Sequence, residues 1–171
     1  MTVSLQQQGS VRMADPAWRP SKKAPLLWAF NAALGWVFVL IAQFIWALAD
    51  SDPTSWPHIA ALTATLVLAP MHIIGVPIWR YHVHRWEISD EAVYTRQGWF
   101  VQERRIAPIS RVQTVDTTRG PIDRLLGLAT VTVTTASSAG AVTITALDEE
   151  IADRTVRDLT EIAARTRGDA T

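Results

Sequence analysis

Two long runs without a charge interrupt a chain that is otherwise finely mixed. Leu26 to Ala49, LLWAFNAALGWVFVLIAQFIWALA, and Ile59 to Trp79, IAALTATLVLAPMHIIGVPIW, contain no Asp, Glu, Lys or Arg. A helix of about 20 apolar residues crosses a hydrocarbon core of about 30 Å. Both runs are apolar on every side, which suits lipid better than the one-sided packing of a soluble helix pair. The short connection DSDPTSWPH joins them into an antiparallel hairpin. Pro70, Gly75 and Pro77 predict a bend in the second span, because each proline removes a helix hydrogen bond.

Beyond about residue 82 the period shortens to two. Strands are expected at His84 to Ser89, Ala92 to Gln97, Trp99 to Ala107, Arg111 to Thr117, Ala129 to Thr135 and Ala141 to Leu147. In the fifth, Val131 and Val133 alternate with Thr130, Thr132 and Thr134; in the sixth, Val142 and Ile144 alternate with Thr143 and Thr145. Such alternation marks an antiparallel sheet with one buried face. A helix is expected from Asp148 to Thr166, with acids in its first turn and an apolar face of Ile151, Val156, Leu159, Ile162 and Ala163. The result is a two-helix transmembrane hairpin followed by a small α+β domain.

One segment, RVQTVDTTRGPIDRLLGLATVTVTT, combines charges with turn residues in the manner of an active-site loop. Its residue order instead specifies a crossover. Gly120 bends the chain, Pro121 takes the first position of a short helix, and Asp123 complements the helix N-terminus. Leu125 and Leu126 are expected to cover the end of the sheet, and Gly127 to take the left-handed stop.

The organisation that follows is a partly disordered cytoplasmic tail over 1–25, the hairpin over 26–79, the domain over 80–167 and a short tail over 168–171. Formal net charge is zero, but it is unevenly placed: +3 over 1–25, −2 over 26–79 and −1 over 80–171. No global charge points to nucleic acid. Arg19, Lys22 and Lys23 precede the first span, Arg80 and Arg85 follow the second, and the loop carries only Asp50 and Asp52. The positive-inside rule then puts both termini in the cytoplasm. Trp28, Trp56 and Trp79 fall at the expected interfaces, while Trp36 and Trp46 lie deeper, against lipid or a partner helix. Ala47-Leu48-Ala49 has the form of a signal-peptidase site, but the second span that follows at once argues for a retained helix. With no cysteine in the sequence, disulfide and thiol chemistry are excluded.

Candidate chemistry is sparse. Asn31, Gln43 and His72 lie in the spans, where they either line a proton or ion path or bond across the hairpin or a dimer; without an intramembrane charge the second reading is preferred. His82 and His84 have strand spacing and could share a metal, yet no third ligand accompanies them, so membrane anchoring is preferred. Arg96, Arg104, Arg105, Arg111 and Arg119, with Arg124 nearby, are candidate contacts to a partner or to anionic lipid headgroups. All four histidines lie at or before residue 84, and no P-loop, zinc-protease or dinucleotide motif occurs. No catalysis, cofactor or metal is expected.

Arg85-Trp86-Glu87-Ile88 directly after the hairpin, GWFVQERR (98–105), ISRVQTVD (109–116) and GPIDRLLGL (120–128) together resemble the bacterial pleckstrin-homology-like (YdbS-type) membrane proteins. The resemblance runs from about residue 25 to 165. It implies a pleckstrin-homology-like antiparallel barrel or sandwich capped by the C-terminal helix, in a multi-pass protein of the bacterial plasma membrane. Basic residues in the first hairpin are interspersed with Glu87, Asp90 and Glu91, unlike the phosphoinositide-binding pattern. The function expected is non-enzymatic docking to a membrane protein partner or a second copy. A transport or export component and an anionic-lipid sensor are the alternatives.

Overall fold

A computed structural model describes residues 15–98, 101–136 and 140–168. Expected features at residues 1–14, at Trp99 and Phe100, at 137–139 and at 169–171 lie outside the described residues. Helix α1 spans Ala24–Ala49. The second span is longer than its uncharged run, extending over Trp56–Val83. It consists of α2 (Trp56–Pro70), a π-turn at Met71–Gly75 and α3 (Val76–Val83). The irregularity expected from Pro70 and Pro77 thus takes the form of a widened turn, a common way to absorb lost i→i−4 bonds. The apolar windows of the two spans are 0% and 6% buried within the protein, so their apolar sides face outward. That surface is what a bilayer covers.

Strands β1 (Arg85–Ile88), β2 (Ala92–Gly98) and β3 (Gln102–Pro108) form one antiparallel sheet. Strands β4 (Val112–Thr118), β5 (Leu128–Thr135) and β6 (Val142–Asp148) form the second. A 3-10 turn at Ile109–Arg111 separates β3 from β4, and the two sheets share no ladder. Of the expected barrel or sandwich, the molecule is therefore two apposed sheets, and the barrel is not closed. Helix α5 (Glu149–Gly168) packs against the second sheet and the 3-10 turn. Val131, Val133, Val142, Ile144, Leu147, Val93 and Ile109 meet Ala152 and Leu159 in one buried cluster. Each valine, leucine or isoleucine side chain removed from water there contributes about 1.5–3 kcal/mol.

The roll of α5 differs from the expected face. Ala152, Thr155, Leu159 and Ala163 are buried, whereas Ile151 is 42% exposed and Val156 and Ile162 are half-buried. Small residues at 152 and 163 let the helix backbone approach the sheets, and that close seating turns Ile151 outward.

The crossover carries helix α4 (Pro121–Leu126). Gly120 N–H donates to Asp123 Oδ2 at 2.8 Å, and Gly127 sits in the left-handed region at φ 66°. Leu126 and Ile122 pack with Leu128, Ala146 and the start of α1 at Ala24, Leu27 and Trp28. Leu125 does not cover the sheet; it is 85% exposed, because a six-residue helix can bury only one face. Gly127→Val should cost about 1–3 kcal/mol, since a β-branched residue resists positive φ. Arg124→Ala, at an exposed position, should change stability by less than about 0.5 kcal/mol. Denaturant unfolding of the full chain in detergent checks both.

Residues 15–23 are not a free tail. Trp18 exchanges two main-chain hydrogen bonds with Trp86, at 3.0 and 2.9 Å. Ser21 N–H donates to the Ala146 carbonyl at 2.9 Å, and Ser21 Oγ donates to Asp148 Oδ1 at 2.7 Å. Lys23 Nζ reaches the Leu126 carbonyl at 2.8 Å, at the C-terminus of α4. This strap enters α1 directly. The first span is therefore tied to the domain from the N-terminal side as well as through α3.

Candidate functional site

The strap, β1 and α5 enclose an open groove of about 890 Å³. Its apolar lining is Trp18, Trp86, Ile88, Ile151 and Ile162; Arg154, Asp158, Glu161 and Arg165 supply polar walls. The Trp18 and Trp86 rings meet edge-on at 4.9 Å between centroids. Strand β1 is an edge strand, and Trp86 turns its main-chain groups outward to Trp18. By strand alternation the N–H and C=O of Ile88 point the same way, into the groove. A short segment laid there would find main-chain partners beside apolar floor, the chemistry of strand addition. The sequence-level reading missed this site. Its residues come from three separated segments, and only the roll of α5 brings Ile151 to it.

The six candidate arginines do not form one patch. Arg96 stands opposite Arg104 in the β2–β3 ladder, and Arg85 stands opposite Arg96 in β1. These three make a row across the first sheet. Asp15 of the strap binds Arg96 at 2.6 Å and Arg104 at 3.1 Å, and Arg96 Nε donates to the Val83 carbonyl at 3.1 Å. Arg105, one residue on, alternates to the other face and reaches the Ala141 carbonyl at 3.2 Å and Glu103 at 3.4 Å. Arg119 pairs with Glu149 and, at 3.1 Å, with Asp153 in the first turns of α5. Arg111 lies in the 3-10 turn and Arg124 on α4, both exposed. Helix capping and ion pairing thus occupy most of the charge assigned to lipid.

The pair does not lie on one strand: His82 is inside α3 and His84 is the C-cap residue that follows Val83. His82 Nδ1 lies 2.8 Å from the Ile78 carbonyl and His84 Nδ1 lies 3.1 Å from that of Arg80. Positions two apart on a helix point in nearly opposite directions. No group of metal-ligating side chains occurs among the described residues. His84 is buried against Trp28, 5.1 Å between ring centroids, while the Arg80 guanidinium stacks on Trp28 at 4.3 Å. Burial, then the Arg80 charge, push the His84 imidazole down to about 4. Its folded value lies below its ordinary one of about 6.5, so the unfolded chain binds the proton first as pH falls. Stability supplied by neutral His84 is complete above pH of about 6.5 and is lost as pH falls to about 4. At ~1.4 kcal/mol per unit the loss approaches ~3 kcal/mol. Unfolding midpoints measured between pH 7 and 4.5 should fall in the parent chain and fall less in His84→Gln.

Within the hairpin the polar groups meet one another. Gln43 Nε2 donates to Thr65 Oγ1 at 2.6 Å, and Trp36 Nε1 donates to His72 Nδ1 at 3.1 Å. These are cross-hairpin bonds of the kind that hold membrane helices together. Trp36 faces the second span, and Trp46 stacks on His58 at 3.8 Å. His58 in turn binds Asp50 at 3.0 Å, closing the loop. Asn31 is exposed on α1.

Comparisons with known proteins agree with this architecture. A model of the family described as "Bacterial PH domain" matches residues 27–164. The transmembrane protein YdbS of Bacillus subtilis (strain 168) is 42% identical over 92 residues, covering 54% of this chain and 53% of that protein. The match thus spans about half the length of that curated relative. No solved structure matches.

Proposed function

We propose, for a chain that belongs to the bacterial PH domain family, that the domain is a non-enzymatic docking module held beside the membrane by its own hairpin. The protein is membrane-anchored, with a PH-like domain next to two candidate spans. The observation that carries the docking reading is the groove: an open strand edge at Ile88, apolar floor at Trp86 and Ile151, and charged walls on α5. Anchoring raises the local concentration of such a groove for other membrane-bound chains. The partner is a segment of a membrane protein or a second copy of this chain. Basic flanks at Arg19, Lys22, Lys23, Arg80 and Arg85 support a cytoplasmic domain at a bacterial plasma membrane.

Photocrosslinkers placed at Ile151 and at Thr117 in native membranes test this reading. Crosslinks from Ile151 that are absent from Thr117 and abolished by Ile162→Arg are expected. Equal labelling from both positions would defeat it. Anionic-lipid sensing is the weaker reading, since Asp15 offsets part of the arginine row. Transport through oligomerised spans is weaker still, because Gln43, Thr65, Trp36 and His72 bond to each other.

A further inference from the structure

Buried polar atoms without a protein partner are rare in a folded chain, and each one carries a desolvation cost. Among the described residues five side-chain atoms are in that position: Gln43 Oε1, His84 Nε2, Thr95 Oγ1, Asp123 Oδ1 and Thr145 Oγ1. Three of the five come together. His84, Thr95 and Thr145 line one cavity of about 10 Å³, together with Arg85, Arg96 and Ile144. That is close to the room one water molecule requires, and a buried water makes about three hydrogen bonds.

We propose that His84 Nε2, Thr95 Oγ1 and Thr145 Oγ1 hold one buried water molecule, and that this water joins the end of the second membrane span to both sheets of the domain.

The donor and acceptor roles are compatible with one water. His84 Nδ1 lies 3.1 Å from the Arg80 carbonyl, which only accepts, so Nδ1 carries the ring proton and Nε2 is an acceptor. The water donates one hydrogen to Nε2. Its oxygen accepts from one threonine hydroxyl and its second hydrogen goes to the other.

Each element is placed for this by its own local structure. Thr95 is the cross-strand partner of Trp86, on the buried face of β2. Thr145 lies where β5 and β6 change register: Ala129 pairs with Leu147 but Val131 pairs with Ile144, which leaves an extra residue in β6. Ala146, next in line, has a positive φ of 57°. Thr145 keeps the alternation of β6, on the same side as Thr143 and opposite Val142 and Ile144, and both threonines line the cavity. His84 is the C-cap residue of α3, held by Trp28 of α1.

The charged groups around the ring favour a neutral occupant. Arg85 and Arg96 line the cavity and Arg80 meets His84, while Asp15, which pairs with Arg96, is shared with Arg104. A cation would be repelled. An anion would face the lone pair of Nε2. Burial and the Arg80 charge hold the imidazole near 4, so at neutral pH the ring remains an acceptor.

The test uses the full chain, purified in detergent with ¹⁵N-labelled histidine. The Nε2 resonance of His84 should sit at the position of a hydrogen-bonded acceptor, with cross-relaxation from a long-lived water to the ring. Thr95→Val should move it toward the free-acceptor position, and Thr95→Ser should leave it in place. Melting-temperature losses of Thr95→Val and Thr145→Val should be less than additive in the double variant, because both lose the same water. A free-acceptor resonance in the parent chain with no water cross-peak, or fully additive losses, would overturn the proposal. Rescue by Thr95→Ser separates a lost hydroxyl from a misfolded strand.

Discussion

Trp86→Ala should remove about 3–5 kcal/mol of stability, the usual cost of truncating a buried aromatic residue. A domain of this size has about 5–15 kcal/mol in total, so the variant should be partly unfolded at growth temperature. Three losses coincide. The side chain belongs to the main buried cluster with Val93, Ile144 and Leu159. Its Nε1 donates to the Arg19 carbonyl at 3.1 Å, which holds the strap. Its ring is the edge-on partner of Trp18 and part of the groove floor. Trp18→Ala is the informative control. Trp18 is 47% exposed, so its truncation should cost about 1 kcal/mol while loosening the strap. Denaturant unfolding of the full chain in detergent reads the first effect. Amide exchange at Ser21, whose N–H is bonded to Ala146, reads the second. Equal midpoints for Trp86→Ala and the parent chain would show that the strap and β1 are not part of the cooperative core.

Gly98→Val should be comparably damaging, by about 3–5 kcal/mol, for a backbone reason. Gly98 ends β2 at φ 131°, and a Cβ added there would stand 1.9 Å from the Val101 carbonyl oxygen and 2.9 Å from its carbon. The obstacle is main chain, so no side-chain rotation relieves it. Strain at such a φ is worth about 1–3 kcal/mol, and displacing packed backbone adds a similar amount. Gly127 provides the contrast. There the added Cβ meets only Lys23 Nζ at 3.9 Å, so φ alone is the penalty and the cost is smaller. Amide exchange should show the Gly98 variant opening the β2–β3 hairpin first. Protection at Val93 and Ala107 equal to that of the parent would refute the clash.

How much was legible beforehand depends on the range of the interaction that decided it. The two spans, the six strands and α5 follow from periodicity, which is a property of neighbouring residues. In the crossover Pro121 opens α4 and Gly127 turns left-handed, while the bond from Gly120 N–H to Asp123 goes beyond the charge preference read at that position. Those effects act within one turn of helix. Leu125 was misassigned because periodicity over six residues cannot say which face meets the rest of the chain. His82 and His84 were placed on a strand because the boundary between α3 and β1 lies beyond Arg80, at Val83.

The candidate site was much less legible. Arg96 and Arg104 were named only as candidate contacts, and their position opposite each other in the β2–β3 ladder came from the structure. Asp15 as their partner was not foreseeable, because it arrives from 81 and 89 residues away by way of a strap whose fold depends on Trp86 and Ala146. The groove likewise needs three separated segments and one helix roll. Sequence alone determined that this is a membrane hairpin bearing a small antiparallel α+β domain with a closing helix, while its division into two three-stranded sheets was seen only in the structure. Hydrophobic burial and turn chemistry settle the first of these locally. Only the tertiary structure decided where the tail docks, which arginines are neutralised and which three polar atoms converge behind His84. Each of these is a meeting of distant residues, selected by the packing of the whole fold and written in no single stretch of the chain.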